Sequence, residues 1–519
     1  MKYILSVLLV VSSVVSLYAA EQSRPNILWI KIEDWSPSLS CYGTKGIQTP
    51  NVDKLASEGI RYERAFSTAP VCSPSRSAMM TGFHQNYIGA HQHRTDEKKP
   101  LPYGIRPIPH LLADAGYYTC LMSSKTDCNF LPSTKKELFM GADWKDRAPD
   151  QPFFAEISFD GTHRPWNRDP IRPIDINDVE LPPYYADTPF IRRDWANGLE
   201  AMQVVDREVG ALLKRLANEG LAENTIVFFI ADHGVCQIRG KQFLYDEGTH
   251  IPMIVRWPGR VEPGQISEDL VMSIDISATL LEVAAAKPTV SLHGQSLFSK
   301  EIKKRKYIFS ARDKMDDAHD AMRAIRSKDY KLIMNLMPER AYCQFSHYKE
   351  GSYPALAEMN ILYLQGKLTP EQAAFMAPNK PEIEMFDLRN DPHEVKNVAN
   401  NPHYAAVQAE LLSELKTWRT NVIQDLGVSE EFRAKGIFPE QCPTDTVGEW
   451  VMQNATNYDF SKNGSPGWYP TRTLVEWEKA RALWEPYVFR GPEDKVARPV
   501  ISFTEKANGK KIKASKKTK

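Results

Sequence analysis

Only 7 cysteines occur among 519 residues. That is too few for a disulfide scaffold of this size, and the odd number leaves at least one unpaired. Neither charge is in excess: 65 basic side chains face 65 acidic ones, and the pI is near 7.2. This balance gives no global pull toward nucleic acid or an acidic membrane surface. Beyond residue 20 no stretch reaches the ~18 apolar residues that a membrane-crossing helix needs. No internal repeat is visible. Hydrophobic residues still make up 42% of the chain, enough for a substantial core, so wholesale disorder is excluded. At ~150 residues per domain the length suits about three units, or one large α/β domain with a smaller companion. The 36 prolines point to many ordered loops.

Met1-Lys2 is a short basic start, Leu5 to Leu17 is an apolar run diluted by serines, and Ala19-Ala20 offers small residues before the polar Glu21-Gln22. This is the pattern of a secretory signal, with an uncleaved anchor as the other reading. No cysteine follows the run, so a lipoprotein anchor has no support. The expected location is secreted or periplasmic, and residues 1–20 are set aside from the fold.

Ile27 to Ile32 is a mostly apolar run ending at Glu33-Asp34. It predicts a buried strand with acids at its carboxyl end. Thr49-Pro50 opens a helix that Thr49 can cap and Gly59 closes. A longer helix is predicted from about Asp194 to Glu219, with Leu199, Met202, Val205, Val209, Leu212 and Leu216 at helical spacing. Thr225 to Ala231 and Ile251 to Trp257 are further strands, the first ending at Asp232. Alternating strands and helices imply a largely parallel sheet covered on both faces, with its chemistry beyond the carboxyl ends of the strands. Near residue 300 the pattern changes. Short strand candidates at Lys306–Phe309, Met322–Ile325, Tyr330–Ile333 and Glu384–Leu388 predict a small antiparallel sheet, followed by a helix around 403–419. The expected division is a large α/β domain over 21–300, an antiparallel subdomain over 301–425, and an extension over 426–519. That extension shows no clear periodicity and ends in a lysine-rich tail at 506–519, read as a solvated segment or a polyanion contact.

The decisive segment is Cys72-Ser73-Pro74-Ser75-Arg76, followed after four residues by Thr81-Gly82. It resembles the signature of the type I sulfatases, in which the cysteine is converted to formylglycine, an aldehyde. The surrounding Ala69-Pro70-Val71 and the layout of the C-terminal half look most like the heparan N-sulfatase branch and its bacterial polysaccharide-sulfatase relatives. The resemblance implies an alkaline-phosphatase-like fold: a large mixed, mostly parallel sheet between helices, with a smaller antiparallel sheet and helix behind it. It implies Ca2+, with Mg2+ as an alternative, and a maturation enzyme that generates the formylglycine.

Site roles follow from the same resemblance. Asp34 and Asp232 match metal-binding positions, as do Glu33, where the family usually has Asp, and His233, whose nitrogen is an unusual donor to a hard cation. Arg76 is expected to polarise the modified Cys72 from the first turn of its helix. Lys241, followed by Tyr245 and Glu247-Gly248, matches a lysine that binds a sulfate oxygen. Lys125 matches another lysine, but Asp127 stands where the family usually has histidine, as a proton acceptor, a holder of Lys125 or a purely structural residue. His163 occupies the place of a histidine that bonds the bridging oxygen of the substrate. His84, His91, His93 and Arg94 lie in a stretch that approaches the substrate in sulfatases, with zinc or plain loop histidines as the other readings. Arg312 and Arg323 are expected near the pocket mouth, facing an anionic sugar.

These residues imply hydrolysis of sulfate esters, or of N-linked sulfate, on a sulfated oligosaccharide or polysaccharide. The alternatives are a phosphoester or phosphonate ester hydrolase on the same scaffold, and a catalytically dead glycan-binding protein. The sugar, the sulfate position and the oligomeric state stay open.

Overall fold

The computed structural model describes residues 24–95, 98–123, 125–299, 303–316, 318–425 and 472–501. The secretory signal expected at 1–20 and the lysine-rich tail at 506–519 lie outside them. Among the described residues no helix is long and apolar enough to cross a membrane.

Seven strands form the large sheet: β1 (Asn26–Ile32), β2 (Ile60–Phe66), β3 (Tyr118–Leu121), β4 (Phe153–Phe159), β5 (Thr225–Ala231), β6 (Met253–Arg256) and β7 (Gln265–Met272). Their spatial order is β3-β4-β1-β5-β6-β2-β7. β3, β4, β1 and β5 run parallel, β2 and β7 run parallel, and β6 runs against both of its neighbours. The sheet is therefore mixed and mainly parallel. β1 and β5 are buried along their whole length, which is why they read as apolar runs without alternation. Lys31 in β1 is fully buried because it forms an ion pair with Glu156 of β4.

Register decides where the chemistry goes. Ile32 stands opposite both Phe159 and Ala231. Three strands thus end in line, and Glu33-Asp34, Asp160 to His163 and Asp232-His233 emerge side by side. Backbone bonds continue past the strand ends, from Glu33 N to Phe159 O at 3.1 Å and from Trp35 N to His233 O at 3.0 Å.

Helices α1 (Pro50–Ser57), α2 (Cys72–Thr81), α3 (Pro189–Asn218) and α4 (Ser273–Val283) pack on this sheet in one core. α3 begins earlier than its apolar spacing suggests, because Thr188 accepts a bond from Ile191 N and Pro189 suits the first turn. The sequence predicts Thr49 as the cap of α1, but its hydroxyl is engaged with Ser40 and Asp53 instead. Asp206 of α3 takes the capping role across the fold. Its Oδ1 accepts from Val52 N at 2.8 Å and Asn51 N at 3.1 Å, and its Oδ2 accepts from Asn51 Nδ2 at 2.7 Å. The orphan N–H groups of a helix start need an acceptor, and its position in the sequence does not matter.

The second sheet is antiparallel, in the order β8 (Ile308–Arg312), β9 (Met322–Arg326), β10 (Tyr330–Asn335), β11 (Ile383–Asp387). The insertion between β10 and β11 carries α5 (Pro354–Leu364), and α6 (Ala405–Thr417) buries Leu411 and Leu415 on the sheet. The two sheets meet through polar contacts: Tyr245 OH donates to Glu384 at 2.6 Å, and Arg326 and Lys331 grip Asp246. A further helix, α7 (Leu474–Val488), lies in the extension over 426–519, for which no helix is predicted. Its buried face is Trp477, Ala480, Trp484 and Val488, a stripe of aromatic and small residues with little aliphatic signal.

Asp206→Ala leaves the Asn51 and Val52 N–H groups without acceptors inside the fold. The expected loss is about 1–3 kcal/mol of stability, read as a lower denaturation midpoint, with Asp206→Asn losing less. An alanine variant as stable as the parent would refute this cap.

Candidate active site

All ten residues of α2 are buried. Its serines stitch the helix to three other segments. Ser75 Oγ donates to Asp232 O at 2.5 Å, Ser73 Oγ accepts from Arg94 N at 2.9 Å, and Ser77 Oγ accepts from Asn129 N at 2.8 Å. Gly82 closes the helix at φ +78°, and a side chain there would also press on Leu292 at 3.0 Å. Cys72 opens the helix, where unpaired N–H groups and the helix dipole favour negative charge.

Around Cys72 the strand ends converge. Its sulfur lies 3.5 Å from Asp34 Oδ1, 3.3 Å from His233 Nε2 and 3.5 Å from Lys241 Nζ. Lys241 Nζ is 2.8 Å from Asp34 Oδ2, and His233 Nε2 is 2.9 Å from Asp34 Oδ1. Arg76 spans the cluster: Nε donates to Asp232 Oδ2, Nη2 to Glu33 Oε1 and Nη1 to Ser158 Oγ, each at 3.1 Å. Lys125 Nζ reaches Glu33 Oε2 at 2.9 Å.

These contacts set the protonation states. Burial disfavours charge on Asp34, but Lys241, His163 and His233 hold its carboxyl well below the ordinary range. Burial likewise opposes charge on Asp232, and His233 and Arg76 keep it low. The same two carboxylates overcome burial at His233 and raise it to about 10. At Cys72 burial raises the thiol, yet Lys241 and Lys125 outweigh it and draw the group down to about 6. Such a thiol is poised for chemistry.

Donor atoms of Asp34, Asp232 and His233, with the Cys72 sulfur beside them, all lie within 4.8 Å of one another. Two buried, ionised carboxylates converging on one point fit a hard divalent cation, which prefers oxygen donors. Glu33 stands apart from this group because Arg76 and Lys125 take both of its oxygens.

The open side of the site is cationic. His163 Nδ1 is 2.7 Å from the Arg164 carbonyl, which can only accept, so Nδ1 carries a proton and Nε2 faces the site. There it meets Lys241 Nζ and Tyr348 OH, each at 3.4 Å. Tyr348 comes from the insertion between β10 and β11, and nothing in its local sequence marks it. Arg94, with its side chain 52% exposed, bonds Asp127 at 3.3 Å, and Lys125 reaches Asp127 at 3.4 Å. Burial opposes charge on Asp127, but Arg94 and Lys125 keep it ionised. His93 Nδ1 pairs with Asp316 Oδ1 at 2.8 Å. Burial disfavours its charge, and Asp316 outweighs that and makes the imidazole more basic.

Other expected positions lie elsewhere. His84 is buried, edge-on to Trp418 and beside His293. Arg312 and Arg323 do not stand at a pocket mouth: their side chains are 0% and 4% exposed, paired with Asp320 and with Asp313 and Asp425. A buried guanidinium is tolerated only with such partners. His91 is part-buried in the same loop as His93, its Nδ1 enclosed and without a bond. The described histidines of the 84–93 stretch therefore do not converge on one point. Backbone strain gathers here as well: Asp34, Arg94, Asp127, Gln242 and Asp316 all hold φ between 49° and 84°. Residues held that way cost about 1–3 kcal/mol each and cluster at functional sites.

Arg76→Met leaves Glu33 and Asp232 buried without their shared cation. The expected cost is about 3–5 kcal/mol, measured by denaturant titration. A midpoint equal to the parent's would show that Arg76 does not balance these acids.

The profile of the family described as Sulfatase matches residues 25–138 and 125–286, and that of "N-sulphoglucosamine sulphohydrolase, C-terminal" matches 233–369. An "Ulvan-active sulfatase" of Formosa agariphila is 35% identical over 458 residues, covering 78% of this chain and 76% of its own. Human N-sulphoglucosamine sulphohydrolase is 24% identical over 472 residues, covering 77% of this chain and 90% of its own. A solved structure of a protein in complex with its substrate D-glucosamine-2-N,6-O-disulfate has a TM-score of 0.58 at 18% identity, covering 78% of this chain and 99% of that one. At that identity the likeness concerns the fold, which is the alkaline-phosphatase-like arrangement of sulfatases. Because the family match runs through both sets of strand-end acids and the Cys72 helix, the chain belongs to the sulfatase family and is a sulfuric ester hydrolase.

Proposed function

We propose that this sulfatase removes sulfate from a sulfated polysaccharide, using residue 72 as formylglycine and a divalent cation, Ca2+ or Mg2+, beside it. The observation that carries this reading is the place of Cys72: first residue of a buried helix, 3.5 Å from both a carboxylate and an ammonium. Ulvan is the first substrate to test, because the relative at 35% identity is named for it. N-sulfated glucosamine follows, from the human relative. The exposed edges of Arg94, Lys125 and His163 suit an anionic sugar.

A hydrated aldehyde supplies two oxygens on one carbon, one to attack sulfur and one to drive sulfate off, which neither a thiol nor a plain hydroxyl offers. A divalent cation would be held by Asp34 and Asp232, and by His233 once its Nε2 proton is displaced, with Glu33 alongside, and would supply positive charge that eases ionisation of a nearby oxygen. The protein's own side chains do the rest. Lys241 and Lys125 hold sulfate oxygens with charge-assisted bonds and offset charge that builds during transfer. Arg76 fixes Glu33 and Asp232 in place. His163, its ring set by the Nδ1 bond to Arg164 O, delivers a proton from Nε2 to the leaving oxygen or nitrogen. Asp127, paired with Arg94 and Lys125, holds Lys125 in position. We read residues 1–20 as an export signal, which places the mature enzyme in the periplasm or outside the cell.

Protein co-expressed with a formylglycine-generating enzyme is expected to release sulfate from at least one member of a panel of ulvan and heparan oligosaccharides. Chelation abolishes this release, and Ca2+ or Mg2+ restores it. Cys72→Ala reduces release to background. Active protein whose residue-72 peptide has the mass of an untouched cysteine would overturn the mechanism.

A further inference from the structure

One buried nitrogen beside Cys72 has only that thiol for a neighbour. His93 is buried, its ring lies against the Cys72 sulfur, and no oxygen or nitrogen stands within hydrogen-bond reach of its Nε2. An unsatisfied buried polar atom costs about 1–3 kcal/mol, so its place beside the reacting residue needs a reason. The opposite nitrogen is fully specified. Asp316 Oδ1, 2.8 Å from Nδ1, can only accept, so Nδ1 carries a proton and, in the neutral ring, Nε2 presents the lone pair. Asp316 Oδ2 in turn accepts from Gln242 Nε2 at 3.0 Å.

The backbone holds this imidazole from two sides. His93 N donates to Lys314 O at 3.1 Å, and Lys314 N donates to Gln92 Oε1 at 2.9 Å. On the other side Arg94 N donates to Ser73 Oγ, one residue from Cys72. Arg94, Gln242 and Asp316 all sit in the left-handed region, at φ 49°, 84° and 51°. The strain falls on the residues that frame the His93–Asp316 pair.

The remaining bases near residue 72 are committed. Asp127 is neutralised by Arg94 and Lys125, His163 points at Lys241 and Tyr348, and His233 is held against Asp34. A thiol offers one heteroatom, and its neighbours already contact it. A second oxygen on the same carbon is what would satisfy Nε2.

We propose that His93, oriented by Asp316, is the base that regenerates the enzyme in the second half of the reaction. The proposal rests on the residue-72 chemistry argued above. After sulfur transfer the residue-72 carbon bears one hydroxyl and one sulfate. His93 Nε2 takes the hydroxyl proton, and the O–H electron pair forms the C=O bond. The C–O bond to sulfate breaks, its pair leaves on sulfate, and the proton on His93 then passes to water. His93 is thus a catalytic residue and Asp316 a positioning residue.

The test uses full-length protein with the residue-72 aldehyde confirmed by peptide mass, and the oligosaccharide that the parent desulfates fastest. Rapid quench should show the parent forming desulfated sugar steadily. His93→Ala should form one equivalent of desulfated sugar at the parent's rate and then slow about 10²–10⁴-fold. Its intact mass should rise by one SO3 plus one H2O over the aldehyde form, that is, by one SO3 unit over the hydrate. His93→Gln, closer in volume, should accumulate the same adduct, and Asp316→Asn a smaller fraction of it. His93 variants that carry the aldehyde yet turn over without an adduct, or that lose the first turnover itself, overturn the assignment while the sulfatase mechanism stands. A parent protein that desulfates nothing in the panel removes both.

Discussion

Everything at the active end of the large sheet depends on charge balance in a dry place. Register brings Glu33, Asp34 and Asp232 out of β1 and β5 side by side, and all three are nearly or fully buried. Left alone they would repel one another and draw in water or protons. Cations from separate segments prevent this: Arg76 from α2, Lys125 from the loop after β3, Lys241 and His233 from the loop after β5. Each cation therefore docks the segment that carries it. Replacing buried ion pairs by apolar packing is often neutral or stabilising, so the retained charge is better explained by what it does to the anionic sulfate ester proposed to bind here than by stability. A field already in place needs no reorganisation when sulfur moves.

The parts of this arrangement that local sequence reveals are those in which one short window holds the whole cause. β1 and β5 show as apolar runs ending in acids because both faces are buried. The four strands of the small sheet show as short runs between turns. The serines, Arg76 and Gly82 of α2 sit at fixed spacing because one helix presents them all. What stays hidden is set by partners far away in the chain. The direction of β6 is fixed by its neighbours, and the cap of α1 comes from Asp206, 155 residues after Asn51. Arg312 and Arg323 look like surface charge until Asp320, Asp313 and Asp425 fold against them. His84 looks like a pocket residue until Trp418 covers it. Asp316 and Tyr348 join the site from regions with no motif of their own, and α7 hides because its buried face is built largely of tryptophan.

The groups packed round residue 72 and the groups on the open side of the site are anchored separately. Cys72, Asp34, Asp232 and Lys241 are fixed by the central strands and by each other, with almost no solvent contact. The loop bearing His163 hangs on later parts of the chain. Arg164 lies between the Trp166 and Tyr353 rings and forks onto Asp194, while Arg490, just past α7, holds the Trp166 carbonyl at 2.6 Å. Tyr348 belongs to the β10–β11 insertion, and Arg94 to a loop tied to the small sheet's side through Lys314. In the proposed reading the sulfate end of a substrate meets a charge-locked floor, while its sugar meets walls supplied by insertions and by the loop that α7 supports. A change of sugar can be met by changing those walls, because Arg76, Lys125, Lys241 and His233, which balance the buried acids at closest range, do not come from them.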